Sequence, residues 1–426
     1  MNKQDQLYQS YLKILEEELI PATGCTEPIA IAYGAAVARK VLNTVPERVE
    51  VKVSGNLIKN AKSVVVPNTN YLKGIEAAVA AGIVAGDPDK QLEVIARVSD
   101  NQKESIQEFL DTHSIKVDIC DTPLTFDYYV ILSAGKDTVT VRIANFHTNI
   151  VYIERNNKVL LNTPVTDEAE NGMTDHSCLN IEQIIEFADC LDPSDVKAIF
   201  DRQIRCNMEI AEEGLRSPYG ANVGKVLKKC YGDTVALRAC AMAAAGSDAR
   251  MNGCEMPVVI CSGSGNQGIT TSVPVVVYAR YIGVSEEKLY RALAVSNLST
   301  IHQKTLIGRL SAFCGAVSAG AGAGAGICYL YDGGYEGVIH TIVNALAFSA
   351  GIVCDGAKSS CAAKINTAVE AGIFGLKLWQ NGQEFCGGDG IISKGVENTI
   401  RNIGHLGHEG MRETDREILK IMLSGK

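Results

Sequence analysis

From Ser318 to Gly326 the chain reads Ser-Ala-Gly-Ala-Gly-Ala-Gly-Ala-Gly, and few folds accept such a segment. Side chains this small bury little area, so the segment is stable only where another backbone comes close and fills the space around it. Nearly uncharged sequence continues on both sides. A helix packed tightly inside a largely buried bundle is the structure this composition predicts. The Gly–Ala alternation at 320–326 is a packing motif, and no repeat of 20–50 residues accompanies it.

The chain has 426 residues, enough for two or three domains and a large core. Charged residues make up 21% and the formal net charge is -9, which argues against a nucleic-acid or anionic-membrane surface. The polar start Met1-Asn-Lys-Gln-Asp-Gln lacks the apolar core of a secretion signal, so a cytoplasmic location is expected. The 14 cysteines are then expected as reduced thiols, buried or metal-bound. Residues 310–331 and 256–279 are uncharged for longer than a bilayer requires. The first is too rich in Gly, Ala and Ser for lipid, and the second carries Ser262-Gly-Ser-Gly-Asn-Gln-Gly268 at its centre, so no membrane span is expected.

In order along the chain, Tyr8, Leu12, Leu15 and Leu19 recur at helical spacing and predict an amphipathic helix over 8–20. Pro21-Ala-Thr-Gly24 breaks it, and a second helix is predicted from Ile29 to Leu42, with Thr26 as N-cap and Pro28 in its first turn. Residues 49–53, 63–66, 92–98 and 139–143 alternate or run β-branched and are predicted as strands, with helices over 71–85 and 102–113. The polar stretch 163–177 is predicted as a linker. Almost everything after Ile181 is predicted as helix, including 181–190, 194–213, 234–245, 285–296, 339–351 and 413–423. The expected architecture is α+β and multidomain: a mostly α-helical catalytic bundle with a smaller α/β domain inserted after the N-terminal helices. Its parts are N-terminal helices packing on the catalytic domain (1–44), an α/β domain (45–165) and a helical catalytic domain (178–426).

Three cysteines stand at turn-like sites around the Gly–Ala tract: Cys314 in Ser311-Ala-Phe-Cys-Gly, and two in Cys354-Asp-Gly-Ala-Lys-Ser-Ser-Cys361. Free cysteines commonly serve as small buried hydrophobes. These three each lie beside Gly, Asp or Ser, where backbone can turn around a cofactor. On one straight helix the seven-residue step from Cys354 to Cys361 would span ~10 Å, so Asp355-Gly356 is expected to interrupt the helix. No CxxC zinc spacing occurs, and soft thiolates in this setting suit an iron–sulfur site.

Ser262-Gly263-Ser264-Gly265-Asn266-Gln267-Gly268 follows the strand-like Val258-Val-Ile-Cys261. It matches G-x-G-x-x-G, yet the β-branched residues 269–277, with Pro274, do not continue as a dinucleotide-binding unit. Its chemistry is that of an anion nest of successive N–H groups beside Ser and Asn, suited to an α-carboxylate, or else of a flexible turn. Cys25, just ahead of a predicted helix, is expected as a thiolate of lowered pKa, usable as base or nucleophile, against the simpler role of a buried thiol. Residues 217–224 and Thr300-Ile-His302-Gln-Lys304 are polar where the bundle is otherwise apolar. His302 and Lys304 are read first as surface or outer groups.

Pro21-Ala-Thr-Gly-Cys25-Thr-Glu-Pro-Ile-Ala30, Ser262–Gly268, Leu310-Ser-Ala-Phe-Cys314-Gly and the Cys354–Cys361 segment together resemble the L-cysteine desulfidase family, which is related to the alpha subunit of bacterial iron–sulfur L-serine dehydratase. The resemblance covers essentially the whole chain, and the seven-residue spacing of the last two cysteines looks more like the desulfidases. It implies a [4Fe-4S] cluster held by three cysteines, matching Cys314, Cys354 and Cys361, and a further cysteine matching Cys25. The implied activity is β-elimination of L-cysteine to sulfide, ammonia and pyruvate. Cys25 would be the base, and Ser262, Ser264, Gly265, Asn266 and Gln267 would bind a small amino acid. L-Serine deamination on the same cluster is the near alternative. A pyridoxal-phosphate lyase would need a Schiff-base lysine motif, for which Lys358 and Lys364 are weak candidates. A non-catalytic cluster sensor is the alternative from another class. The sequence admits a homodimer without specifying one.

Overall fold

The computed structural model describes residues 1–165 and 173–424. Gln6–Glu18 forms α1, whose Tyr8 and Tyr11 rings tilt against Phe187 with centroids 5.0 and 5.4 Å away. Pro21–Thr23 (β1) leads into Thr26–Leu42 (α2), which ends at Asn43 in the left-handed conformation. The next elements are Arg48–Val53 (β2), Gly55–Ala61 (α3), Gly74–Ala85 (α4), Asp100–Thr112 (α5), Ile115–Ile119 (β3), Asp127–Ala134 (β4), Asp137–Ala144 (β5), Ile150–Arg155 (β6) and Lys158–Asn162 (β7). Helices Ile181–Cys190 (α6), Pro193–Arg216 (α7), Val223–Tyr231 (α8) and Val235–Met251 (α9) precede the short strand Pro257–Val259 (β8). The remainder is Gly265–Ile282 (α10), Glu286–Ile307 (α11), Gly315–Leu330 (α12), Gly334–Ser349 (α13), Cys361–Gln380 (α14), Val396–His405 (α15) and Arg412–Ser424 (α16).

The chain is thus an α+β, mostly helical multidomain protein. Strands β2 to β7 form a six-stranded sheet in the order β3-β2-β4-β5-β6-β7, with β2 and β3 parallel and the other pairs antiparallel. Inward-facing Val49, Val51 and Val53 on β2 and Tyr128, Val130 and Leu132 on β4 alternate with more exposed residues, as one buried face requires. Helix α2 lies on that face: the Tyr128 hydroxyl donates to the Ala30 carbonyl, and a Cβ on Gly34 would meet the Tyr128 ring. Helix α1 packs instead on α7 and α11 of the helical body.

Two segments expected as strands are not strands. Val65 makes only an isolated bridge to Lys73, and residues 88–97 form a 3-10 helix and turns. Their apolar side chains (Val64, Val66, Leu92, Val94, Ile95) are nonetheless buried. The β-branched run records burial from a turning chain, held where the Asn68 side-chain amide donates to the Ile95 carbonyl, and not a ladder. The β-branched stretch after Gly265 is helical despite Pro274; it is buried on every side, and the Thr270, Thr271 and Ser272 hydroxyls are satisfied by carbonyls of the preceding turn. Part of the predicted linker, residues 166–172, lies outside the described residues; His176–Cys178 beyond it is a 3-10 turn. Among the described residues no helix is long and apolar enough to cross a membrane.

The Gly–Ala tract forms α12, at the centre of the helical body between α10, α11, α13 and α14. Its glycines are where backbones meet. A Cβ on Gly320 would run into the Ala368 carbonyl, one on Gly324 into Gly372, and one on Gly372 into the Gly320 carbonyl. This contact fixes α12 against α14 and so fixes the relative positions of their first residues. Gly372→Ala should destabilise the protein by about 1–3 kcal/mol, the usual cost of overpacking. Gly351→Ala, where a Cβ would meet nothing within 4 Å, should stay within about 0.5 kcal/mol. Urea unfolding of the two variants measures the contrast, and equal losses would remove the close approach as the cause.

Candidate functional site

Two short backbone pairings bring the distant sequence motifs together. Strand β1 pairs antiparallel with β8, Ala22 opposite Val258, and the Ile260 N–H continues the pairing to the Ile20 carbonyl. Residues just past both strands, Cys25 and Ser262–Gln267, are thereby set side by side, and the Thr26 hydroxyl donates to the Gly263 carbonyl at 3.0 Å. The second pairing is the isolated bridge Phe313–Val353, flanked by Cys314 N–H to Ile352 O (3.1 Å) and Cys354 N–H to Ala312 O (2.6 Å). It sets Cys314 beside Cys354. Gly356, at a φ of +94°, then packs against the Lys59 carbonyl so closely that no side chain would fit, and turns the chain into α14 at Cys361. The interruption expected at Asp355-Gly356 is present.

All of these motifs open onto one cleft of about 910 Å³, counting the space at its mouth. Cys25, Ser262, Ser264, Asn266, Gln267, Cys314, Cys354 and Cys361 line it. Gly265 does not: the absent side chain leaves room for the Arg250 guanidinium, which a Cβ there would strike. Cys25, Ser264 and Cys314 are the N-cap residues of α2, α10 and α12, and Cys361 is the first residue of α14. Four helix N-termini, with their free N–H groups and positive dipole ends, therefore face the same space. The other lining residues add to this sign: among the described residues they include Arg250, Lys304, Arg309 and Lys364, against the single carboxylate of Glu27.

Several buried polar atoms here have no hydrogen-bond partner among the described residues: Nε and one terminal nitrogen of Arg250, Ser262 Oγ, Asn266 Oδ1, Gln267 Oε1 and His147 Nε2. Leaving such groups unpaired costs roughly 1–3 kcal/mol each, so a cluster of them in a cleft marks a place where a polar ligand completes the bonding. Ser262 adds a left-handed φ of 47°, an uncommon backbone state for a non-glycine residue and one that concentrates at functional sites.

Cys25 departs from expectation. Its thiol donates to Glu27 Oε2 at 3.0 Å and is 2% exposed. Burial and then the Glu27 carboxylate push its pKa well above the ordinary thiol value, with Arg250 opposing them. The helix N-terminus does not outweigh the lost solvent and the adjacent anion. Lys304 also differs from its sequence reading. It is buried against the cleft, and burial lowers its pKa to about 8 although Cys354 and Cys314 pull the other way. His302 turns aside to Glu397, its Nε2 lying 2.7 Å from the carboxylate. Asp355 is held down at about 2 against its own burial by Lys358 and Lys364. Arg250, His147, Glu27 and Arg309 escaped sequence reasoning. Only Arg250 carried a signal, as a lone arginine closing the alanine-rich, wholly buried end of α9.

Residues 89–420 match the family model of the serine dehydratase alpha chain. The chain belongs to this family. Curated relatives include a UPF0597 protein of Desulfitobacterium hafniense, 58% identical over 424 residues (100% of this chain, 99% of the relative). One of Treponema denticola is 47% identical over 422 residues (98% of each chain), and one of Actinobacillus pleuropneumoniae is 36% identical over 429 residues (100% and 99%). Serine dehydratase alpha chains are lyase-type enzymes, and the family carries an expectation of iron–sulfur chemistry.

The residues present fit such a group. A single ion would need every donor within about 2.0–2.3 Å of one point, and the described residues contain no such set of His, Cys, Asp and Glu. A cluster spreads its thiolates over several irons, and three thiols share this cleft. Burial first, then the neighbouring Cys354 and Cys361, push the Cys314 pKa up to about 12. Cys314 is buried and Cys354 and Cys361 are half-buried, and a cation such as iron would supply the charge that holds their sulfurs together.

The buried His147 gives this serine dehydratase relative a pH signature. Burial lowers its pKa to about 4, with Arg309 and Arg250 reinforcing and Glu27 and Glu18 opposing. The folded state then binds fewer protons than the unfolded state between about pH 6.5 and 4, so stability falls as pH falls through that window. His147→Gln should shrink the stability difference between pH 7 and pH 4.5 by about 2 kcal/mol, read from urea midpoints. An unchanged difference would mean that the imidazole is not buried neutral.

Proposed function

We propose that this chain is an iron–sulfur-dependent lyase that carries out β-elimination on L-cysteine, releasing sulfide, ammonia and pyruvate. The observation that carries the reading is one cleft that holds Cys314, Cys354 and Cys361 together with unpartnered polar atoms, among them the Arg250 nitrogens and the Ser262 hydroxyl, which can donate to a carboxylate. A [4Fe-4S] cluster bound by Cys314, Cys354 and Cys361 would supply a Lewis acid for the leaving sulfur. The α10 N-terminus, Ser262, Ser264, Asn266 and Gln267 would hold the substrate carboxylate, with Arg250 as its counter-charge.

Cys25 is the proposed base, working with Glu27. The thiol proton already rests on a hydrogen bond to the Glu27 carboxylate. As that proton passes to Glu27, the thiolate takes the proton from the substrate Cα, the Cα=Cβ bond forms and the Cβ–S bond breaks. The aminoacrylate released loses ammonia in water without help. Burial of the Cys25–Glu27 pair keeps water from competing for the transferred proton. The family description favours a second reading, L-serine as substrate with hydroxide as the leaving group. The comparison of kcat/KM for cysteine and serine decides between them.

Separable variants test these roles on protein purified without oxygen. Cys354→Ala should lose iron and turnover together. Cys25→Ala should retain iron and lose about 100-fold or more in kcat. Full activity in Cys25→Ala would end its assignment as base. Arg250→Lys should raise KM while iron content holds, because a point charge cannot reproduce the guanidinium's paired donors. Sulfide-free, pyruvate-free incubation of the iron-loaded parent with cysteine would sink the cysteine reading.

A further inference from the structure

We propose that His147, carried by the sheet, accepts a hydrogen bond from the α-ammonium group of the substrate. The proposal rests on the amino-acid lyase reading above and adds the residue that tells an amino acid from a simple acid.

His147 reaches the cleft from the tight connection between β5 and β6. Hydrogen bonds from Phe146 N–H to Ala144 O (2.8 Å), from Asn149 N–H to Phe146 O (3.2 Å) and from the Asn149 side chain to Ala144 O (2.9 Å) hold this loop. The ring meets Phe126 edge-on at 4.8 Å. Its Cε1 lies over the Ser262-Gly263 turn, 3.2 Å from where a Gly263 Cβ would stand. It therefore borders the place where the carboxylate, and with it the Cα substituents, would sit. The side chain is 8% exposed, lines the cleft, and leaves Nε2 without a partner among the described residues. A histidine kept for packing alone has no reason to aim an unpaired nitrogen at a cavity.

The chemistry of the neighbours selects the ligand group. Facing His147 are Arg309 from the segment after α11, Arg250 from α9, Glu27 from α2 and Glu18 from α1. Both arginines only donate, so they serve an anion and not an ammonium. Glu18 is taken by Arg309, and Glu27 Oε2 by the Cys25 thiol. An unprotonated Nε2 is a lone-pair acceptor beside the nest, next to the unpaired amide oxygens of Asn266 and Gln267, and burial keeps this imidazole unprotonated well below neutral pH.

The test pairs L-cysteine with 3-mercaptopropionate, which keeps the thiol and carboxylate and lacks the amino group. In His147→Ala, kcat/KM for L-cysteine should fall about tenfold to a hundredfold, the usual range for a lost hydrogen bond to a charged group. Inhibition by 3-mercaptopropionate should stay within about twofold of the parent. His147→Gln, which keeps an acceptor oxygen, should recover part of the loss and guards against misfolding of the alanine variant. Equal weakening of both compounds, or of neither, in a parent that turns over L-cysteine overturns the role of His147 alone. A parent inert toward both cysteine and serine overturns the lyase reading, and this inference with it.

Discussion

Four helices begin at one point in this protein, and the rest of the molecule is arranged to permit it. Like-signed dipole ends repel, and each brings backbone N–H groups that no helix can satisfy internally. Gathering the starts of α2, α10, α12 and α14 around a cleft that also holds Arg250, Arg309, Lys304 and Lys364 is unfavourable until an anion enters. A chain of net charge -9 has concentrated its positive potential in a hollow. Thiolates, a carboxylate, or both relieve it.

Close contact between backbones holds the arrangement in place. Glycines at 320, 324 and 372 let α12 and α14 touch without intervening side chains, and Gly268 lets the first turn of α10 lie against the Val259 carbonyl of β8. Such contacts leave little freedom for one helix to slide along another. Rigidity at the helix starts matters because metal ligands and recognition groups must stay within fractions of an ångström of their working positions. The unpaired polar atoms of the cleft are the visible cost of that preorganisation.

The sequence showed the site more clearly than the fold around it. Cys25, the 262–268 turn, Cys314, Cys354 and Cys361 stood out because Gly, Ser, Asp or Pro beside them interrupts the helical pattern. Strand periodicity misled at 63–66 and 92–98, where buried valines, leucine and isoleucine sit on turns. No local pattern revealed that Arg250, His147 and Glu27 meet, since α9, the β5–β6 loop and α2 come together only through tertiary packing. The pKa of Cys25 was misjudged for a related reason. A helix start is a local property, whereas burial beside Glu27 is not.

The pairing of β1 with β8 bears on how the protein is made. Residues 21–23 emerge early from the ribosome, yet their partners at 257–259 follow only after the whole six-stranded sheet and helices α2 to α9. The segment holding Cys25 must wait, unclasped, through that interval, and Cys361 arrives later still. All six strands of the sheet, between residues 48 and 162, are synthesised before β8. The cleft is therefore among the last features to close during synthesis, and any inorganic group it takes must be delivered to a chain that is nearly complete.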